Sequence, residues 1–285
     1  MHLRTMTTAD IDGGLRLCRL SHWNQMARDW QQFLRLTPGG ATVAVDDAGQ
    51  VIGSVATMRY EPHLAWIAMV LVDPAARGRG VGTALLHRGL EQVQDVHAVG
   101  LDATPLGQPL YEKLGFVVDS GLTRLERPAD AVAPPARAAG GATGIRPAMR
   151  DDLEFIGQLD VQATGLARHA MLGWLFEGAP AFAFVSDGWT IDGFLLGRHG
   201  HSFAHLGPIV ARTTEHSLAL VRACLARHPG HRFIIDVTDH DPEWRAGLEA
   251  MGFRAQRPFA RMYKGHWRPE GDPALLRASI GPEFG

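Results

Sequence analysis

Apolar residues fall in runs whose period changes along the chain, and the changes mark out its elements. Ala41-Thr42-Val43-Ala44-Val45 is rich in small and β-branched residues and reads as a strand. Asp46-Asp47-Ala48-Gly49 follows, an Asp/Gly cluster that predicts a hairpin into a second strand over 51–60. Residues 65–72 are apolar without interruption, the pattern of a strand covered on both faces. A helix is expected over 83–93, a strand over 99–102, a helix carrying Tyr111, and a closing strand near Gly115-Phe116. Upstream, Trp23, Met26, Trp30 and Phe33 recur at helical spacing and are expected to face the core. His22, Asn24 and Gln25 fall off that stripe and suit either a solvated face or contacts to a small molecule. Strands alternating with helices predict an α/β or α+β class with a mixed sheet.

The same order recurs further on. Residues 128–144 have the Pro/Ala/Gly composition of a linker. On either side, Leu3-Arg4 with Asp10 is answered by Ile145-Arg146 with Asp152, Ile52-Gly53 by Asp192-Gly193, Asp102 by Asp236, and Gly115-Phe116 by Gly252-Phe253. The offset stays between 134 (Asp102 to Asp236) and 142 (Leu3 to Ile145) residues, which argues for two copies of one fold. The expected division is a first domain over 1–127, the linker, a second domain over 145–268, and a loosely held tail over 269–285.

Composition narrows the class. A length of 285 residues allows two domains, and 46% hydrophobic with 20% charged residues is ordinary for a globular protein. With 28 basic and 30 acidic residues, no basic stripe suggests nucleic acid and no polybasic cluster suggests a membrane. The first residues lack the apolar core of a signal peptide, and no run approaches the roughly 20 apolar residues of a span. Cys18 and Cys224 are expected to be reduced core thiols, which with the rest points to the cytoplasm. His199 and His201 alternate, as on one strand face, but no carboxylate or cysteine at ligand spacing joins them, so no metal is expected.

The candidate chemistry lies just after the apolar strand, in Arg77-Gly78-Arg79-Gly80-Val81-Gly82-Thr83. Glycines clear side chains from the backbone, so free N–H groups of the loop and first helical turn can converge on an anion such as a pyrophosphate. The spacing is wrong for the Gly-x-Gly-x-x-Gly dinucleotide fingerprint, although Asp102 falls near its acidic position, and the Gly-Lys-Ser/Thr of a nucleotide P-loop is missing. A ligand-free glycine turn is the plain structural alternative.

The order strand, Arg-x-x-Gly-x-Gly, helix resembles the acetyl-CoA signature of the GNAT superfamily of N-acetyltransferases. Tyr111-Glu112-Lys113-Leu114-Gly115-Phe116 resembles that family's tyrosine helix and terminal strand. The resemblance implies two tandem GNAT-like domains, each a mostly antiparallel central sheet flanked by helices. It implies acetyl-CoA as co-substrate, with Val70, Leu71 and Val72 offering main-chain contacts to the pantetheine arm and Arg77 through Thr83 holding the pyrophosphate. Tyr111 would protonate the departing thiolate. Thr104 stands where the family often has a cofactor-contacting asparagine, seven residues before the tyrosine. The base that deprotonates the acceptor is open between Asp102, Glu61, His63 and a water chain; Asp102 also suits a strand-end structural role, since Asp236 repeats it. Acceptor contacts are expected from His22, Asn24, Gln25 and Glu61. The acceptor would be a small-molecule amine or a peptide N-terminus, attacked directly in a ternary complex, and a homodimer is among the expected assemblies.

The second copy departs from this pattern. Aligned on its helix, Glu215 falls opposite Gly80 and Ser217 opposite Gly82; counted back from Gly-Phe, Leu248 falls opposite Tyr111. It is expected neither to bind coenzyme A in the usual manner nor to catalyse. The competing function is a non-catalytic acyl-CoA-binding sensor, and a longer acyl group or a hydroxyl acceptor is a third reading.

Overall fold

The structure is a computed structural model that describes residues 1–60, 63–131, 144–187, 190–266 and 270–285. Glu61 and most of the expected linker therefore lie outside the described residues.

The chain forms two compact units that are not coextensive with its two repeats. Unit 1 comprises Met1–Asp119, Ala260–Trp267 and Pro282–Gly285; unit 2 comprises Ser120–Phe259 and Arg268–Gly281. In unit 1 the sheet runs in the order β1 (His2–Thr5), β2 (Ala41–Val45), β3 (Val51–Tyr60), β4 (Leu64–Val72), β5 (Ala98–Ala103) and β12 (Arg254–Gly265, of which 260–265 lie here). All neighbours are antiparallel except β4 and β5. The hairpin between β2 and β3 forms where the Asp/Gly cluster predicts it. Asp46 Oδ1 accepts from the amides of Ala48 and Gln50, and Gly49 takes φ +81°.

Helices α1 (Ile11–Leu20) and α2 (Ala27–Leu36) pack against β3, and α3 (Val81–Gln92) against β2, β3 and β4. Strand alternation divides the faces: Val55, Ala65, Ile67, Val99 and Leu101 share a core with Leu85 and Leu86 of α3. Trp66 and Gly100, one residue out of phase, lie on the opposite face. Residues 20–33 are not one helix. A turn over 21–26 separates α1 from α2, so Met26 is exposed while Trp30 and Phe33 are buried, and Asn24 and Gln25 are buried rather than solvated.

Unit 2 repeats the plan. Its strands are β7 (Gly144–Pro147), β8 (Phe184–Asp187), β9 (Gly193–Arg198), β10 (Ala204–Ala211) and β11 (Phe233–Thr238), with β6 (Val117–Arg127) bonded to β11 over 122–127. Helices α5 (Leu153–Thr164), α6 (His169–Gly178), α7 (Thr214–Arg227) and α8 (Pro242–Glu249) complete it. Each repeat thus sends its last long strand into the sheet of the other unit: β6 pairs with β11 and β12 with β5. His199 and His201 fall in the turn after β9 and do not share a strand face.

The expected tail differs most from its sequence reading. Residues 276–278 form β13, a strand of unit 2, and Phe284 is fully buried in unit 1. Gly and Pro around them give the composition of a loop, but buried apolar positions at 276, 278, 280 and 284 fix the segment in place.

Candidate active site

The site of unit 1 begins with a fault in β4. Ser54 pairs with Leu71 but Ala56 with Ala68, so β4 carries one extra residue, a β-bulge at Met69–Val70. Met69 takes φ +54°, a left-handed conformation that a residue with a Cβ adopts at a cost, and Ser54 Oγ donates to its carbonyl at 2.8 Å. The bulge bends the strand. β4 and β5 are bonded in parallel only at Leu64–Ala98, Ala65–Val99 and Trp66–Gly100, and beyond Trp66 they part. On its β5 side the stretch Val70–Val72 has no strand partner among the described residues. The result is a wedge whose wall is main-chain N–H and C=O, closed at Trp66 and open toward residue 72.

The open end leads into the glycine loop. Asp73 caps a short 3-10 turn over Pro74–Ala76, accepting from the Ala75 amide at 2.9 Å, and is fixed by Arg16 at 2.6 Å. Gly78 and Gly80 take φ +73° and +78°, a left-handed conformation that glycine adopts without the strain a Cβ would bring. Gly82 lies inside the helix, because α3 starts at Val81, two residues before the expected Thr83. The first intrahelical bond is Ala84 N–H to Gly80 O, which leaves the amides of Val81, Gly82 and Thr83 at the positive end of the dipole. Arg77, Gly78, Arg79 and Gly80 are exposed beside them. The loop offers amide donors and two arginine cations suited to an anion, next to a strand edge with no described partner on its β5 side.

Tyr111 sits on α4 (Gln108–Lys113), half-buried, edge-on to Phe116 at 6.0 Å between centroids. Burial pushes its phenol up to about 12, and its hydroxyl bonds to no described residue. It is therefore protonated at neutral pH and free to donate. Thr104 follows β5 directly, its hydroxyl 3.3 Å from the Gly107 amide, accepting within a turn.

Asp102 has a different setting. Its carboxylate is fully buried and receives both Nε (2.9 Å) and Nη2 (2.8 Å) of Arg261, which β12 brings from the second repeat. Burial acts to lower the Arg261 pKa, but the adjacent carboxylate prevails and raises it. A carboxylate in a bidentate pair is poorly suited to accept a proton. His63 is exposed and stands 5.4 Å, ring to ring, from His97. On the α1–α2 turn, His22 is exposed with φ +55°, Asn24 is buried and hydrogen-bonded, and Gln25 is buried with its Oε1 lacking a partner among the described residues. Cys18 and Cys224 are free and buried, and burial pushes both thiols up to about 12, so neither is an activated nucleophile.

Unit 2 holds the same framework with different contents. Its central strand has the matching bulge, since Leu206 pairs with Gly197 and Ile209 with Leu195, and β10 and β11 are bonded only over 204–206 and 233–235. Here the wedge is filled. β13 lies antiparallel to both walls, pairing Ala278 with Ile209 of β10 and with Val237 of β11. The helix that follows is capped by its own Thr213 and carries Glu215 in its first turn. Aligned cap to cap, Glu215 stands opposite Gly82, not Gly80, because α7 begins further upstream relative to its strand. The Phe253 amide bonds to Leu248 O as the Phe116 amide does to Tyr111 O, so the phenol is replaced by a buried leucine. Asp236 repeats Asp102: Arg124 of β6 holds it at 2.7 Å through both Nε and Nη2, and His205 Nε2 lies 3.0 Å away. Burial alone would raise the Asp236 pKa, but Arg124 and His205 outweigh it and hold it well below the usual range.

Comparison with known proteins agrees with this architecture. Two family models, each described as an acetyltransferase (GNAT) domain, match residues 38–118 and 156–275. Holothin acyltransferase of Pseudoalteromonas sp. (strain SANK 73390) is 27% identical over 266 residues, 92% of this chain and 87% of that protein. Mycothiol acetyltransferase of Arthrobacter sp. (strain FB24) is 36% identical over 103 residues, 32% of this chain and 30% of that protein's length. A solved structure from Pyrococcus horikoshii shares the fold at TM-score 0.82 and 20% identity, covering 100% of this chain and 95% of that one. The chain belongs to the GNAT family of acetyltransferases, with two such domains in tandem.

Proposed function

We propose that unit 1 transfers an acetyl group from acetyl-CoA to an amine by direct attack, and that unit 2 binds no coenzyme. The observation that carries this reading is the contrast between two equivalent wedges, one with no strand partner among the described residues on the β5 side of Val70–Val72 and one filled by β13. Acetyl-CoA supplies the acetyl group and a thiolate leaving group. The backbone of Val70, Leu71 and Val72 orients the arm and presents fixed dipoles to the thioester oxygen. Arg77 through Thr83 hold the pyrophosphate. Tyr111 keeps its proton until the sulfur departs.

Asp102 serves as a structural partner of Arg261, and the acceptor loses its proton through water. The orphaned Gln25 Oε1 is an acceptor suited to an N–H of the substrate. The names of holothin acyltransferase and mycothiol acetyltransferase favour a small-molecule amine over a peptide N-terminus. Titration of the full chain with coenzyme A by calorimetry tests the reading: one equivalent per chain is expected. Two equivalents would show that β13 does not close unit 2, and no binding would remove the coenzyme reading. Thiol release from acetyl-CoA over a panel of amines then separates an enzyme from a sensor.

A further inference from the structure

The closed end of the wedge is built with unusual care. Trp66 is the last residue of β4 bonded to β5, and its indole lies across Gly100, where a Cβ would collide with the ring. Four other groups fix that indole. Its Nε1 donates to the carbonyl of Pro282 at 2.9 Å. Arg261 stands over the ring at 5.0 Å, and Tyr263 meets it edge-on at 6.2 Å. Gly285 packs against the indole closely enough that a Cβ there would sit 3.1 Å from it. Residues 282–285 are themselves anchored, since the Tyr60 hydroxyl donates to Phe284 O and the Phe284 ring stacks on Phe33 at 5.0 Å. Phe284 and Trp66 are both buried.

A coenzyme held by the glycine loop, with its arm running back along Val72 to Val70, delivers its acyl group toward Trp66. We propose that Trp66, clamped by Arg261, Tyr263 and Pro282–Gly285, is the acyl-length gate of unit 1 and restricts it to short acyl groups. The inference rests on the coenzyme reading above. The clamp gives it physical force: a free tryptophan could swing aside for a longer chain, whereas this one would have to break a hydrogen bond, leave a cation–π contact and displace a packed segment. It also gives the second repeat a part in unit 1, because Arg261, Tyr263 and residues 282–285 all come from beyond the linker.

Calorimetric binding of coenzyme A, acetyl-CoA and hexanoyl-CoA tests this without knowledge of the acceptor. The full chain is expected to bind hexanoyl-CoA about tenfold or more weakly than acetyl-CoA, the scale on which a shaped pocket rejects added methylenes. Trp66→Ala should abolish that discrimination, and a chain ending at Gly281 should reduce it, while coenzyme A itself binds both variants as it binds the full chain. Hexanoyl-CoA binding the full chain as tightly as acetyl-CoA, or Trp66→Ala keeping the same ratio, overturns the gate. Should Trp66→Ala lose coenzyme A affinity through misfolding, Trp66→Leu and the shortened chain decide by the same ratio. If coenzyme A fails to bind the full chain, it is the underlying coenzyme reading that falls.

Discussion

Individual side chains show how far the two repeats share one design. Arg4 forks onto Asp10 at 2.6 and 2.7 Å, and Arg146 onto Asp152 at 2.6 and 2.8 Å, in each case joining the first strand to the turn before the first helix. The Arg4 hydrogen bond is the main reason the Asp10 pKa falls from 3.8 to about 2. A lowered carboxylate pKa favours the folded state above its unfolded value, and the benefit fades as pH drops from about 4 through about 2. Arg4→Met should therefore cost about 1 kcal/mol near neutrality, the pair being partly solvated, and the difference from wild type should shrink as melting is repeated toward pH 2. Tyr111 offers the opposite sign. With its pKa raised to about 12, the phenol stays protonated across the working range, so its loss imposes no alkaline limb on turnover below about pH 11. Tyr111→Phe should reduce turnover by about 10²-fold or more with coenzyme A affinity retained; unchanged turnover would exclude Tyr111 as the acid. The sequence made the helix position of Tyr111 legible because its whole neighbourhood is patterned. Asp102 was less so, because a lone strand-end carboxylate looks the same whether it takes protons or is bound by an arginine 159 positions away.

At the scale of elements, most of unit 1 was readable. The strands over 41–45 and 51–60 and the alternation after them coincide with β2, β3 and the rest, since long apolar runs bounded by Asp/Gly turns leave few choices. The bulge at Met69–Val70 left no mark in the sequence; it depends on pairing with β3, and Ala-Met-Val-Leu is an ordinary strand run. Yet the bulge makes the wedge, and the wedge is the candidate site. The loop beyond it can be probed through backbone conformation alone. At Gly80 a Cβ would meet nothing within 4 Å, so Gly80→Ala strains only the φ of +78°, at about 1–2 kcal/mol. Because that residue caps α3, the strain should appear as weaker coenzyme A binding with little change in packing. An unaltered dissociation constant would mean that the phosphates lie elsewhere.

The molecule as a whole is where sequence reading reached its limit. Offsets of 134–142 residues identify two copies, but pattern matching assigns every strand to its own copy. The chain instead completes unit 1 with β12 and unit 2 with β6, and such long-range pairing has no local signature. Nor did residues 276–278, three positions in a Gly/Pro-rich stretch, announce a strand that fills the second wedge. The reciprocal arginines, Arg261 on Asp102 and Arg124 on Asp236, become intelligible only with the strand exchange. Removing one leaves a buried carboxylate without its principal cation. Arg124→Met should therefore destabilise by about 3–5 kcal/mol, measured by denaturant unfolding, and substituting both members of the pair together should cost less than that.

The exchanged strands also decide what a cut chain would do. A break between residues 128 and 144 would leave the first fragment without β12 and the second without β6, each exposing the bare edge that the missing strand normally covers. Neither piece is expected to fold as a self-sufficient module. Produced separately they should be prone to aggregate, and produced in the same cell they should copurify as a reassembled enzyme. Tandem duplication here has thus become interdependence: once its closing strand was lent to its twin, neither copy could be discarded.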